Sequence, residues 1–217
     1  MSAVVPSYVL LDPRPIAEEA PYTFFLPGET EVTAIASGDF VKLMFEHVPA
    51  GKEWSVERMW VAVGGRDEGG FWGALANNAL EQTAQIRIGD SIRFAPHHII
   101  NIRWSHPESA PRPVERREYW ERCLVDSCVL EGTEPVEFIY REFPDMQKEG
   151  DKYPDSGWRI RGRVGTATDE EVEAREPRYV AIGAVLNKDD SWLHLIDAPE
   201  GARFMRDFRL NTYVNQS

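Results

Sequence analysis

Short apolar–polar alternations cut by turn residues constrain this chain more than any other feature of its sequence. Phe40-Val41-Lys42-Leu43-Met44-Phe45-Glu46 and Glu57-Arg58-Met59-Trp60-Val61-Ala62-Val63 alternate with a period of two, the repeat of an extended strand with one buried face. Gly64-Gly65, Gly69-Gly70 and Asn77-Asn78 then supply turns, because glycine and asparagine reach backbone conformations that other residues resist. Phe71-Trp72-Gly73-Ala74-Leu75 follows one such turn, and Ile86 to Phe94 reads as two strands bent at Gly89-Asp90. Strands of this spacing suit a strongly bent sheet or an SH3-like small barrel. One stretch stays open: the Ala, Leu, Glu and Gln content of Trp72 to Gln82 permits a helix as well as a strand.

From Ser105 to Glu115, three prolines and no apolar periodicity mark a linker. The expected organisation is a strand-rich module over residues 1–104, a proline-containing linker over 105–118 and an α+β module over 119–217. In the last of these, Arg116 to Cys123 reads as a short helix leading into the strand Cys123-Leu124-Val125, and Val136 to Arg141 alternates cleanly. Asp155-Ser156-Gly157 reads as a turn closed by the Asp side chain. Trp158-Arg159-Ile160-Arg161-Gly162 then sets aromatic and aliphatic side chains opposite two guanidinium groups. Thr168-Asp169-Glu170-Glu171 is a capping box, whose hydroxyl and carboxylate satisfy amides at the start of a helix that Pro177 must end. Tyr179 to Leu186 reads as the most apolar strand. The fold class is α+β, two small strand-rich modules, the second a sheet with one or two short helices.

Lys and Arg number 24 against 36 Asp and Glu, a net charge of −12 shared by both halves. Grip on a phosphate backbone needs the opposite sign, so no nucleic-acid partner is expected. No apolar run approaches the roughly 20 residues that span a bilayer, so no membrane partner is expected either. Met1-Ser2-Ala3-Val4-Val5-Pro6 has no Lys or Arg ahead of an apolar core, which is not the pattern of a secretory signal, and the expected compartment is the cytoplasm. There Cys123 and Cys128 stay reduced, and without a second Cys/His pair they predict no metal and no cofactor.

Neither a glycine cradle for phosphate nor a Gly-x-Ser-x-Gly elbow occurs; Ser156-Gly157 lacks the first glycine. His97-His98 is the first place to look for acid–base work, yet on an extended segment neighbouring side chains point to opposite faces and do not act on one atom. His47, His106 and His194 stand at no recognised catalytic spacing from a carboxylate or nucleophile. Seven tryptophans offer stacking surfaces, but Trp60 and Trp158 lie on strand patterns with one buried face, and most of the seven are expected in cores.

Two sets of motifs resemble known bacterial families, together over roughly residues 38 to 207. Gly38-Asp39-Phe40-Val41-Lys42-Leu43, Glu57-Arg58-Met59-Trp60-Val61, Phe71-Trp72-Gly73-Ala74-Leu75 and Ile88-Gly89-Asp90-Ser91-Ile92-Arg93-Phe94 resemble the uncharacterised domain of unknown function 2314. That family offers no catalytic residue, and Asn77-Asn78-Ala79 stands where it has Asn-x-Pro. Tyr140-Arg141-Glu142-Phe143-Pro144, Asp155-Ser156-Gly157-Trp158-Arg159-Ile160 and Ala198-Pro199-Glu200-Gly201-Ala202-Arg203-Phe204-Met205-Arg206-Asp207 resemble domain of unknown function 2185, whose members are also grouped as immunity proteins of polymorphic toxin systems. Gly162 to Pro177 is inserted relative to the compact Gly-Asp-Glu pattern of that family. The resemblance implies a toxin as partner.

The residues make physical sense without a family. Tyr140, Arg141, Glu142, Asp155, Trp158, Arg159 and Arg161 are the site candidates, an ion network that either fixes a hairpin around Trp158 or forms a partner-binding surface. No catalytic residue is expected. The leading expectation is a non-enzymatic immunity protein that occludes a bacterial toxin, acidic toward a basic partner. The alternative is a small-ligand-binding protein or enzyme with a cleft between the modules, lined by Tyr140, Trp158, Arg159 and His98.

Overall fold

A computed structural model describes residues 7–146 and 148–216. Residues 1–6, where the missing secretory pattern was read, lie outside the described residues. The chain forms two compact units. The first takes the chain up to Glu19 and Phe24–Arg116; the second takes Ala20–Thr23 and the chain from Arg117 onward. Backbone and side-chain bonds account for the grouping. Asp39 accepts hydrogen bonds from the Ser105 amide and hydroxyl, which ties the start of the proline-rich segment to the first unit. The Tyr22 amide donates to Asn187 at 2.9 Å, which ties residues 20–23 to the second.

The first unit contains β1 (Tyr8–Leu10), α1 (Arg14–Glu19), α2 (Glu29–Ala34), β2 (Phe40–His47), β3 (Val56–Asp67), β4 (Gly70–Leu75), β5 (Ser91–Phe94) and β6 (Asn101–Arg103). β2 to β5 form an antiparallel meander. β1 and β6 share the free edge of β2, with Leu10 opposite Phe45 and Arg103 opposite Phe40. Only residues 95–100, with a 3-10 turn at Pro96–His98, carry the chain from β5 on the far edge to β6 on the near one. The sheet is therefore strongly curled, a half-barrel. Val41, Leu43 and Phe45 of β2 meet Met59, Val61 and Val63 of β3 inside the curl, with Phe71, Leu75, Ile92 and Phe94 completing the core.

Several expectations for this unit need correction. Trp60 points outward, between inward-facing Met59 and Val61, and carries the Lys42 ammonium and the Arg103 guanidinium over its ring at 4.6 and 5.1 Å. Trp54 and Trp72 are about half exposed, so the fully buried tryptophans are Trp158 and Trp192 of the second unit. A Cβ at Gly64 would come within 2.1 Å of the Trp72 ring, so a glycine bulge seats that indole against the sheet. Trp72 to Gln82 is strand to Leu75 and then loop, because Asn77 spends its side-chain carbonyl on the Trp60 amide at 2.7 Å. Of the two strands read in Ile86 to Phe94, the second alone forms; Gly89 and Arg87 bond to Leu75 and Asp90 in a turn.

The second unit contains β7 (Arg122–Asp126), α3 (Ser127–Glu131), β8 (Val136–Arg141), β9 (Asp155–Gly162), α4 (Asp169–Glu173), β10 (Pro177–Ala181), α5 (Ile182–Leu186), β11 (Arg203–Asp207) and β12 (Thr212–Asn215). Strand order is β10-β7-β9-β8-β11-β12, antiparallel except for the β7–β9 pair. Cys123, Val125, Ile139, Trp158 and Ile160 pack on one face against Val129, Ile182, Val185, Leu186 and Trp192. The run from Tyr179 to Leu186 is not one strand. It breaks into β10 and α5, where Ile182, Val185 and Leu186 are buried at helical spacing. Arg116 to Cys123 forms no helix, since the Tyr119 and Glu121 carbonyls accept from Gly183 and Ile182 at the start of α5. The capping box at α4 forms as read, with the Thr168 hydroxyl accepting from Glu171 and the Glu171 carboxylate accepting from Thr168. Burial pushes both the Cys123 and Cys128 thiols above their ordinary range. No helix among the described residues is long and apolar enough to cross a membrane.

His47 is not without a carboxylate. Strand pairing brings its Nε2 to 2.7 Å from Glu57, and both side chains are buried. Glu57 also accepts from the Leu80 and Glu81 amides, and Glu81 in turn accepts from the amides of Glu53, Trp54 and Thr83 and from the Thr83 hydroxyl. Two acidic side chains thus clamp the loops that follow β2 and β4. Burial opposes the charged form of Glu57, but these amides and His47 outweigh it and hold its carboxyl below the ordinary value. The Thr83 hydroxyl, with the Trp54, Glu53 and Thr83 amides, lowers Glu81 to about 2. A carboxyl depressed in the folded state stabilises above its unfolded value and loses that contribution as pH falls through the folded one. Glu81→Gln is expected to lower Tm at pH 7 and to flatten the fall of Tm between 4.5 and about 2, followed by circular dichroism; an unchanged slope would show that Glu81 does not hold these loops.

Candidate functional site

The sequence-derived candidates gather on and around β9. In a regular strand, residues four apart lie about 13 Å apart, yet the Asp155 and Arg159 side chains meet. The β7–β9 register explains this: Arg122 lies opposite Asp155 and Leu124 opposite Arg159, so β9 spends extra chain over the same span. Gly157 absorbs the excess at φ +80°, and a Cβ there would sit 2.1 Å from the Glu142 carbonyl. Asp155-Ser156-Gly157 is therefore a bulge inside a strand, not the turn expected, although the Asp side chain does accept from the Gly157 amide at 3.1 Å. The Ser156 hydroxyl donates to the Arg122 carbonyl at 2.6 Å and accepts from the Trp158 amide, which pins the bulge to β7.

Arg159 donates to both Asp155 oxygens at 3.0 and 2.9 Å and to Glu142 at 3.0 Å, with Asp145 at 3.5 Å. The Arg159 and Asp155 side chains are 5% and 2% exposed, so this guanidinium is buried with its carboxylate partner. Burial works against charge on Asp155, but Arg159 and the Gly157 and Met146 amides hold its carboxyl below the ordinary range. Farther along β9, Arg161 meets Asp126 at 3.1 Å, and Asp126 also accepts from the Gly162 amide.

The candidates divide between the two faces of the sheet. Trp158, 1% exposed, packs edge-on against Trp192 and donates its indole N–H to the Ile196 carbonyl. Arg141 lies over that indole at 5.7 Å and donates to the Ser156 and Ala198 carbonyls. Trp158 is thus a core side chain and lines no cleft, which corrects its place in the alternative reading. Tyr140, Arg159 and Arg161 lie on the face opposite α3 and α5. There the registers align Leu124, Arg159, Tyr140 and Arg203 in one row across β7, β9, β8 and β11. A second row holds Arg161, Phe138, Met205 and Val214. Phe138 and Tyr140 stack with ring centroids 5.4 Å apart. Glu142 is half exposed at the margin of this face.

His97 and His98, read as pointing apart on an extended segment, sit in the 3-10 turn begun by Pro96 with their rings 4.1 Å apart. The His98 Nδ1 accepts from the Ala95 amide, so that ring caps its own turn. Among the described residues no group of three or more His, Cys, Asp and Glu side chains is arranged to hold a metal ion. The open face of the second sheet combines aromatic, thioether and guanidinium groups, a set made for non-covalent contact. Sequence reading missed Phe138, Arg203 and Met205, which enter only through cross-strand register.

Comparison with known families places a match on this unit. Residues 123–214 match the Immunity protein Imm33 domain, a stretch running from β7 into β12. The second unit is immunity-protein-like, as the motifs within it suggested. No curated protein and no solved structure matches the chain.

Removing one member of a buried ion pair costs up to about 3–5 kcal/mol, less where a second carboxylate remains as Glu142 does for Arg159, while truncating a side chain on an open face costs about 1 kcal/mol or less. Asp155→Asn is accordingly expected to destabilise strongly in urea unfolding and Tyr140→Ala weakly; equal effects would contradict this division of the candidates.

Proposed function

We propose that the second unit neutralises a bacterial toxin by docking the open face of its sheet onto it, with no bond made or broken on the protein. The observation that carries this reading is a coincidence of extent. The immunity-domain match covers the sheet, one face of which is core while the other offers Phe138, Tyr140, Arg161, Arg203 and Met205. Aromatic residues, Met and Arg are the side chains enriched where binding energy concentrates. The net charge of −12 favours approach to a basic toxin of the kind that attacks nucleic acid in the cytoplasm, with the arginines setting orientation at close range.

The test is co-expression with the toxin encoded beside the gene. Growth is expected to be rescued, and a stoichiometric complex to form whose association slows as salt rises. Phe138→Ala combined with Tyr140→Ala should weaken that complex about 100-fold or more by calorimetry. Absence of rescue and of a complex, or a complex indifferent to the double substitution, would overturn the proposal.

A further inference from the structure

The inserted segment between β9 and β10 stands beside one end of the open face and encloses a cleft of about 410 Å³. Phe138, Tyr140 and Met205 form its floor, Val172 of α4 its wall, and Arg161 and Arg203 flank the apolar surface. The wall is tied in place at both ends. The capping box starts α4, and Arg175 just beyond it donates to the Gly162 and Arg163 carbonyls at 2.7 Å each.

The polar groups of the cleft are unequally satisfied. Asp126 behind it accepts from the Gly162 amide and from Arg161 Nε, and Glu137 accepts from the Val164 amide at 2.9 Å. Both carboxylates are engaged. Arg161, 43% exposed, uses only its Nε, and its two terminal nitrogens have no hydrogen-bond partner among the described residues. What the cleft has in surplus is N–H donor capacity next to an aromatic and thioether floor. A guanidinium with unused donors pairs best with a carboxylate, and the floor takes a large apolar side chain.

We propose that this cleft is an anchor site for a protein loop bearing a carboxylate next to an aromatic or large aliphatic side chain. The inference rests on the reading of the open face as the docking surface and names the chemistry of the partner there. Within an acidic protein meeting a basic toxin, the unused Arg161 donors thus favour a carboxylate at this one point, which fixes register: the acidic loop is held here in preference to a basic one.

The test needs no toxin. The full chain, labelled at arginine Nε and methionine methyls, is titrated by NMR with the amidated peptide acetyl-Asp-Phe-Leu-Glu, with its counterpart acetyl-Lys-Phe-Leu-Lys and with inorganic phosphate. The acidic peptide is expected to shift the Arg161 and Met205 signals with millimolar affinity, about tenfold better than the basic one, and Arg161→Gln should cut the response about fivefold. Val172→Asp, on the wall and away from the ion pairs, should have the same effect by repulsion if Arg161→Gln disturbs folding. Equal response to both peptides, or none at these signals, overturns the proposal. So does phosphate matching the acidic peptide, which would assign the cleft to a phosphate-bearing ligand. A neutralised toxin with a silent cleft would sink this inference alone, whereas a responsive cleft without toxin binding would sink only the docking reading.

Discussion

The buried pair of Asp155 and Arg159 is the constraint around which the second unit is arranged. It closes a bulge in β9, the strand that pairs parallel with β7 on one side and antiparallel with β8 on the other. Because the extra chain amounts to an even number of residues, the alternation survives it: Trp158 and Ile160 stay in the core, and Arg159 and Arg161 stay on the open side. An odd excess would have exchanged the faces of everything downstream. Buried ion pairs add little net stability over apolar packing of the same volume, so the consequence of this one is geometric. It holds Tyr140 between two arginines, and it leaves room for Arg141 to reach across Trp158 to the loop before β11.

The two units solve the problem of buried charge in the same manner. In the first, Glu57 stands on the inner face of β3 among Met59, Val61 and Val63, where an isolated carboxylate would be untenable. Backbone amides and His47 complete its coordination, and the loops that provide those amides are thereby held. In both units a carboxylate inside the structure organises the irregular chain around it, and the regular strands need no such help.

What could be read from the sequence was whatever depends on neighbours along the chain. The alternations of β2 and β3 and the Thr168 capping box are local patterns and appear where they were read, whereas in β8 a bulge between Val136 and Phe138 breaks the expected clean alternation and puts Val136 and Ile139 in the core together. A period of two defines two faces without saying which is inside, and buried Glu57 made Trp60 look like the core member of its strand. The continuous apolar run at Val180–Leu186 fits either a strand or a helix, and Ile182, Val185 and Leu186 carried the helical spacing within it. Of the candidate site, the charged residues were visible but their sorting between faces was not. That sorting depends on one glycine at positive φ and on registers between β8, β9 and β11, which are long-range facts. The pairing of His47 with Glu57 was hidden for the same reason.

The cleft wall leaves the sheet at Gly162 and rejoins it at Pro177, and none of its residues belongs to the buried cluster beneath. Apart from Arg175, which is tied to the Gly162 carbonyl and to buried Asp126, its sequence can drift or lengthen while the strands and their ion pair stay as they are. A protein that had to keep pace with a changing adversary would gain from this separation: the wall could retune one end of a binding surface while the strands that carry the rest are inherited unaltered.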